Sequence, residues 1–157
     1  MDGLRAWFGD TADEVKAAYH TNQELQPPDP AWGARSRPSL WLKAEGVDYF
    51  FDEKGKVGGI RVDEPFGGKV NGIKIGDGLA KMCKALGRPD RSYKPFKSPL
   101  WDDYLYGLGD ITIEFQMEND VIQTAWLRDA KSQAILSAGA QPFRHSMHRQ
   151  VICGAVP

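Results

Sequence analysis

The chain has 157 residues, of which 41 % are hydrophobic and 26 % charged, and its formal net charge is −1. This composition is ordinary for a globular protein with one core, and so small a net charge gives no general attraction to nucleic acid. No apolar run approaches the ~20 residues that span a bilayer, and the first residues lack the basic and apolar regions of a secretory signal. The sequence therefore predicts a cytoplasmic protein without a membrane segment.

The first predicted helix begins at a capping box, Thr11-Ala12-Asp13-Glu14. In this motif the hydroxyl and the carboxylate satisfy free amides at the helix start reciprocally. After the helix, residues 26–40 contain four prolines, which exclude a regular helix and predict a long irregular connection. This connection carries Trp32 and Arg35, and long loops with such side chains are often functional.

Three strands are predicted next, at residues 40–44, 47–51 and 57–62, with a turn at 53–56. In the middle strand Val47, Tyr49 and Phe51 alternate with Asp48 and Phe50, the period of two that is typical of a sheet with one buried face. Phe50 is then an apolar ring on the outward face, and we expect it to contact a partner.

The second half of the chain begins with another helix. Apolar residues at helical spacing are Leu79, Met82, Cys83 and Leu86. Asp77 is the predicted N-cap of this helix, and Gly87 is expected to end it. Because Cys83 lies on the apolar stripe and the chain has two cysteines, Cys83 and Cys153 are expected to stay reduced in a cytoplasmic protein.

A second aromatic loop is predicted at residues 92–103, and three strands are predicted after it, at 104–108, 111–116 and 121–127. The loop ends at Trp101, Asp102 and Asp103, and Glu114 lies on the outward side of the middle strand. Adjacent residues point to opposite sides, so Asp102 and Asp103 are a poor acid–base pair.

The two halves match each other at a nearly constant offset, which indicates a tandem duplication. The predicted fold class is α+β, a duplicated unit of helix, loop and antiparallel β-meander that forms a helix-backed antiparallel sheet. The expected organisation is one compact domain, with the first unit at residues 1–68, the second at 69–129 and a C-terminal tail at 130–157.

Motifs for catalysis are absent from the sequence. It has no nucleophile elbow, no phosphate-binding loop, no paired CxxC and no HExxH, so the protein is not expected to be an enzyme or to carry a cofactor. His145, His148 and Cys153 are the one metal-like group, and because an obvious fourth ligand is missing, no metal site is predicted.

The second half contains the motifs Ile75-Gly76-Asp77, Leu86-Gly87-Arg88-Pro89, Glu114-Phe115 and Val121. With these motifs it resembles the β-lactamase-inhibitor-protein-like and outer-membrane-assembly-lipoprotein superfamily over residues 71–127, and residues 7–62 match as a degenerate copy. The resemblance implies a tandem fold that presents one sheet surface to an enzyme, and related cytosolic proteins are immunity proteins that neutralise bacterial toxins. Gly78 departs from the motif, which has a hydroxyl residue there, and the missing lipoprotein signal speaks against an outer-membrane role.

From these observations we expect a non-catalytic inhibitor of the immunity type that binds a cognate toxin or enzyme. The residues expected to contact this partner are Trp32, Arg35, Phe50, Trp101, Asp102, Asp103 and Glu114. The alternatives are an assembly module of the envelope-lipoprotein type and an unrecognised enzyme or metal protein. Homodimerisation is a further alternative, since the edge strands of a meander can pair across a two-fold axis.

Overall fold

The computed structural model describes residues 1–29, 36–93, 101–129 and 153. Two α-helices are present in this part of the chain, α1 (Ala12–Tyr19) and α2 (Leu79–Leu86), and a short 3₁₀-helix spans Lys43–Glu45. The seven strands are β1 (Ser39–Leu42), β2 (Val47–Phe51), β3 (Val57–Asp63), β4 (Arg91–Tyr93), β5 (Trp101–Leu108), β6 (Ile111–Glu118) and β7 (Val121–Asp129). The predicted α+β class is confirmed.

All seven strands form one antiparallel sheet in the order β1-β2-β3-β7-β6-β5-β4. The first half of the chain contributes α1 and the three strands β1 to β3, and the second half contributes α2 and the four strands β4 to β7. The two groups of strands join where β3 pairs with β7. The duplication itself stays a prediction. The predicted boundary at residue 68 falls in the connection between β3 and α2.

The core lies between the helices and one face of the sheet, which we call the inner face. One buried row runs straight across six strands through Leu40, Tyr49, Ile60, Leu127, Ile113 and Tyr106. Val15 and Tyr19 of α1 and Met82 of α2 are buried in the same core. The side chains that the period-two pattern placed inside are therefore inside, because burial of apolar area drives the sheet against its helices.

The helix starts differ from each other. At α1 the predicted capping box is present, since Thr11 Oγ1 accepts from Glu14 N and the Glu14 carboxylate accepts from Thr11 N. At α2 the prediction is wrong, because the N-cap is Gly78 and no side chain caps the helix. Asp77 instead accepts hydrogen bonds from Lys74 N and Lys81 Nζ, both at 2.8 Å.

The two predicted irregular connections contain more structure than expected. Residues 92–103 overlap β4 and the start of β5, so Trp101, Asp102 and Asp103 belong to a strand and not to a loop. In residues 26–40, Gln26 pairs with Ser39 through two backbone hydrogen bonds of 2.8 and 3.0 Å, which extends the β1 side of the sheet. Trp32 and Arg35 lie outside the described residues.

The expectation of two reduced cysteines is wrong. Cys83 on α2 forms a disulfide with Cys153, with 5.6 Å between the Cα atoms. The bond joins positions 70 residues apart and fixes one residue of the predicted tail to the second helix. Local spacing cannot reveal such a pairing, because it depends on where the folded chain brings the two residues. Within the described part of the chain, neither helix has the length and apolarity needed to cross a bilayer.

Candidate functional site

The face of the sheet opposite the helices, here called the outer face, carries an unusual set of side chains. Its central row follows directly from the register and contains Trp41, Asp48, Arg61, Trp126, Glu114 and Leu105. Each of these residues lies between two inward-facing neighbours on its own strand. Period-two alternation therefore forces them all to the same side.

Arg61 is the centre of this row. Its guanidinium carbon lies 4.9 Å from the ring centroid of Trp41 and 5.5 Å from that of Trp126, distances at which a cation is attracted to an aromatic ring. The same guanidinium forms ion pairs with Asp48, at 3.6 Å, and with Asp63, at 2.9 Å. One arginine thus links four strands, β1, β2, β3 and β7, through stacking and charge.

Trp126 is held in a fixed orientation by its neighbours. Its indole Nε1 donates a hydrogen bond of 3.2 Å to Gln116 Oε1. Its ring centroid lies 5.2 Å from that of Phe50, two strands away. Phe50 reaches across β3 at Gly59, the residue it pairs with, where no side chain stands between the two rings. A second cation, Arg128, lies 5.3 Å from the same indole ring.

The β4 side of the outer face is acidic. Glu114 accepts a hydrogen bond of 2.8 Å from the Tyr93 hydroxyl through Oε1 and forms an ion pair with Arg128 through Oε2. Asp103 lies on the same side of β5, opposite Gln116 on β6 and Tyr93 on β4. Two carboxyl groups and one tyrosine hydroxyl therefore meet at this end of the face.

Three acidic residues of the outer face are buried: Asp48 is 5 % exposed, Glu114 5 % and Asp103 2 %. Burial raises the pKa of Asp103 to about 7, and the negative charge of Glu114 raises it as well. Burial is also the main reason that the pKa of Asp48 is raised to about 6, which the nearby Arg61 partly offsets. Oδ1 of Asp48 and Oδ1 of Asp103 have no hydrogen-bond partner among the described residues.

The structure brings four of the seven predicted contact residues to this face. Phe50, Trp101, Asp103 and Glu114 lie on the outer side, whereas Asp102 is opposite the buried Met117 on the other side of β5. Asp103 and Glu114 are too buried to be first contacts for a protein partner. They lie beneath the half-buried aromatic and arginine side chains.

The main outer-face residues were missed from sequence. They are Trp41, Arg61, Trp126 and Arg128. The signal was present, because the first three of them alternate with core residues in strands that the pattern had already predicted.

The described residues contain no group of three or more His, Cys, Asp or Glu side chains arranged to hold a metal ion. His145 and His148 lie outside the described residues. An open pocket of about 340 Å³ is lined by Met1, Leu4, Arg5, Ala6, Trp7 and Asp10. It shares no residue with the outer face.

Comparison with known proteins gives one structural similarity. No protein-family model matches the chain, and neither does any curated protein. A crystal structure of a DUF4309 family protein (YjgB) from Bacillus subtilis subsp. subtilis str. 168 has a TM-score of 0.52 and 18 % sequence identity, over 76 % of this chain and 78 % of that one. At this identity the similarity concerns the fold alone.

Proposed function

We propose that this protein is a non-catalytic binding protein that contacts another protein through the outer face of its sheet. The observation that carries the proposal is the cluster of Trp41, Arg61, Trp126 and Arg128, which we call the Trp/Arg cluster. Tryptophan and arginine are the residue types most enriched at interaction hot spots. Here they are held by ring contacts and ion pairs, so little side-chain freedom is lost on binding.

The partner we propose is a toxin or enzyme that the protein inhibits, as an immunity protein does. Support comes from the resemblance of the motifs in residues 71–127 to the β-lactamase-inhibitor-protein-like superfamily, and from an antiparallel sheet whose two described α-helices both pack on the inner face. The alternative is an assembly module of the envelope-lipoprotein type, which would use the same face to hold a partner without blocking an activity.

The disulfide bears on where this binding takes place. Disulfides persist in oxidising compartments and are rare in the cytosol of most organisms. The Cys83–Cys153 bond therefore favours an oxidising compartment over the cytoplasm that the sequence suggested. Rapid alkylation of free thiols in intact cells tests this point, because the disulfide form takes up no label until it is reduced. If both cysteines are fully labelled before reduction, the thiols are free in the cell, and the cytoplasm is the compartment to propose.

The binding proposal is tested by purifying three tagged forms from the native host under identical conditions. They are the wild-type protein, Trp126→Ala and the control Lys54→Ala, whose side chain is exposed in the turn between β2 and β3. We expect one protein to co-purify in near-equimolar amounts with the wild type and the control. With Trp126→Ala its affinity should fall about tenfold or more, as loss of a hot-spot side chain does.

The effect on the partner's activity distinguishes an inhibitor from an assembly module. The partner's own activity or toxicity is then measured with increasing amounts of this protein. An inhibitor abolishes that activity at a one-to-one ratio, whereas an assembly module leaves it unchanged. If Trp126→Ala folds normally and binds the partner as tightly as Lys54→Ala does, the Trp/Arg cluster is not the contact surface.

A further inference from the structure

The hydroxyl of Tyr93 lies between two buried carboxyl groups at the β4 edge of the sheet. It donates its hydrogen to Glu114 Oε1 over 2.8 Å. Tyr93 is also the direct cross-strand partner of Asp103, whose carboxyl contacts the side chains of Tyr93 and Gln116. Tyr93 thus connects Asp103 on β5 with Glu114 on β6.

The single hydrogen of the Tyr93 hydroxyl cannot serve both carboxyl groups. A tyrosine hydroxyl has a single hydrogen, and an ionised carboxylate can only accept. Since the hydrogen of Tyr93 goes to Glu114, a hydrogen bond between Tyr93 and Asp103 requires a proton on Asp103. Glu114 is the better place for the negative charge, because Arg128 forms an ion pair with its other oxygen.

Burial disfavours the charged form of Asp103 and outweighs the side-chain hydrogen bonding that favours it, such as that of Gln116. Only 2 % of the residue is exposed, and Oδ1 has no hydrogen-bond partner among the described residues. A buried, unpaired and ionised oxygen is costly, whereas a neutral acid is much less so. The charged or titratable groups facing it are Tyr93 on β4, Glu114 on β6 and Arg128 on β7, and the one cation among them is already paired with Glu114.

We propose that Asp103 is a proton-binding site that fastens the edge strand β4 to the sheet. With the proton bound, Asp103 donates to Tyr93 and Tyr93 donates to Glu114, so that one chain of hydrogen bonds spans β5, β4 and β6. When the proton leaves, two carboxylates compete for the single hydrogen of Tyr93, and the like charges repel. β4 has three residues and pairs with β5 alone among the described strands, so this loss loosens it first.

The protonation is measured directly by ¹³C NMR of the carboxyl carbons across the pH range. We expect one aspartate signal to titrate between about pH 6 and 8 and to be absent from Asp103→Asn. It should persist in the control Asp110→Asn, an exposed position in the turn between β5 and β6. In Glu114→Gln the midpoint of the Asp103 signal should move to lower pH, because the like charge is gone. The carboxyl signal that is missing in Asp103→Asn belongs to Asp103. If that signal titrates below about pH 5 in the wild type, Asp103 is not a proton-binding site.

The fastening is measured by amide hydrogen exchange of residues 91–93, corrected for the intrinsic pH dependence of exchange. In the wild type we expect exchange to become severalfold faster as Asp103 loses its proton. Asp103→Asn keeps a donor at this position and should show slow exchange at both ends of the range, while Tyr93→Phe should show fast exchange at both. If the exchange rate of residues 91–93 does not change as Asp103 titrates, Asp103 does not fasten β4 to the sheet. Neither measurement requires a binding partner, so this proposal fails or holds independently of the proposed function.

Discussion

Arg61 shows how much a single side chain determines on the outer face. Its guanidinium contacts two indole rings and is paired with two carboxylates. Asp48, one of those carboxylates, is 5 % exposed, and Arg61 is the cation paired with it. Removal of Arg61 therefore leaves a buried acid without its cation and takes the guanidinium away from both tryptophans.

We expect Arg61→Ala to lower the free energy of unfolding, measured by urea denaturation, by about 2 kcal/mol. This is the usual cost when a buried group loses a charged hydrogen-bond partner. The matched control is Arg37→Ala, because Arg37 pairs with Glu53, whose side chain is 83 % exposed. Loss of that surface pair should change stability by about 0.5 kcal/mol or less. Adding Asp48→Asn to Arg61→Ala should recover part of the loss. Equal effects of Arg61→Ala and Arg37→Ala would contradict the central role of Arg61.

Asp103 makes stability depend on pH in a direction opposite to the usual one for an acid. Its pKa in the folded protein is raised to about 7 from an ordinary value of 3.8, so the folded state binds the proton more tightly than the unfolded state does. This stabilising contribution is complete below the ordinary value and is lost as the pH rises through about 7.

At pH 8 the free energy of unfolding of Asp103→Asn, measured by urea denaturation, should therefore exceed that of the wild type by about 2 kcal/mol. This difference should disappear toward pH 4. The difference between the two proteins is the relevant quantity, because titrating groups remote from Asp103 cancel in it. A variant that is less stable than the wild type at pH 8 would show that Asp103 carries a useful negative charge.

At the scale of elements, the two helices offer a comparison within one chain. They have the same length, but α1 has a complete capping box and α2 starts at a glycine without a capping side chain. Gly78 has an extended backbone with φ −88°. A Cβ added there meets its nearest neighbour, Asp120 O, at 3.6 Å, an ordinary contact. The site can therefore accept a serine without strain.

We expect Thr11→Ala to lower the free energy of unfolding by about 1 kcal/mol, because the amide of Glu14 loses its acceptor. Gly78→Ser should raise it by about 0.5 kcal/mol through a new cap and a less flexible unfolded chain. Chemical denaturation of both variants measures the two effects. A loss of stability in Gly78→Ser would mean that the hydroxyl cannot reach the first amides of α2.

The sequence was sufficient for the elements whose signals are local. Alternation in β2 and β6 placed Tyr49 and Phe115 in the core, and the capping box located the start of α1 within one residue. Alternation likewise placed Phe50 and Glu114 on the outer face. These patterns are set by neighbours a few positions away, so they can be read without knowing the fold.

Features that depend on distant contacts escaped prediction. β4 has no apolar run, and its position follows from pairing with β5 and from Asp90, whose carboxylate accepts a 2.6 Å hydrogen bond from Gly107 N. Alternation can place Trp41, Arg61 and Trp126 on the outward face one by one, but Arg61 and Trp126 become neighbours in a cluster only when β3 pairs with β7. Predicting either feature requires the strand order, which local patterns do not contain.

At the scale of the whole molecule, the disulfide closes a long loop over the second half of the chain. Cys83 and Cys153 are 70 residues apart, and the loop between them contains β4 to β7. Closing such a loop restricts the unfolded chain much more than the folded one. Its removal should therefore weaken the molecule as a whole more than any surface substitution does.

We expect Cys153→Ser to lower the free energy of unfolding by about 3 kcal/mol, and reduction of the wild type by dithiothreitol to have the same effect. Dithiothreitol added to Cys153→Ser is the control and should change nothing further. Urea denaturation with each of the four combinations measures this. Identical stability of oxidised and reduced wild type would contradict a structural role for the bond.

The junction of β3 with β7 has a consequence for how the molecule is made. β7 is the last of the described strands in chain order, yet it lies in the middle of the sheet, beside a strand from the first half. During synthesis from the N-terminus, β1 to β3 emerge early and wait with one edge open until β7 leaves the ribosome. Arg61 meets Trp126 only at that moment. A chain that ends before β7 therefore lacks the Trp/Arg cluster.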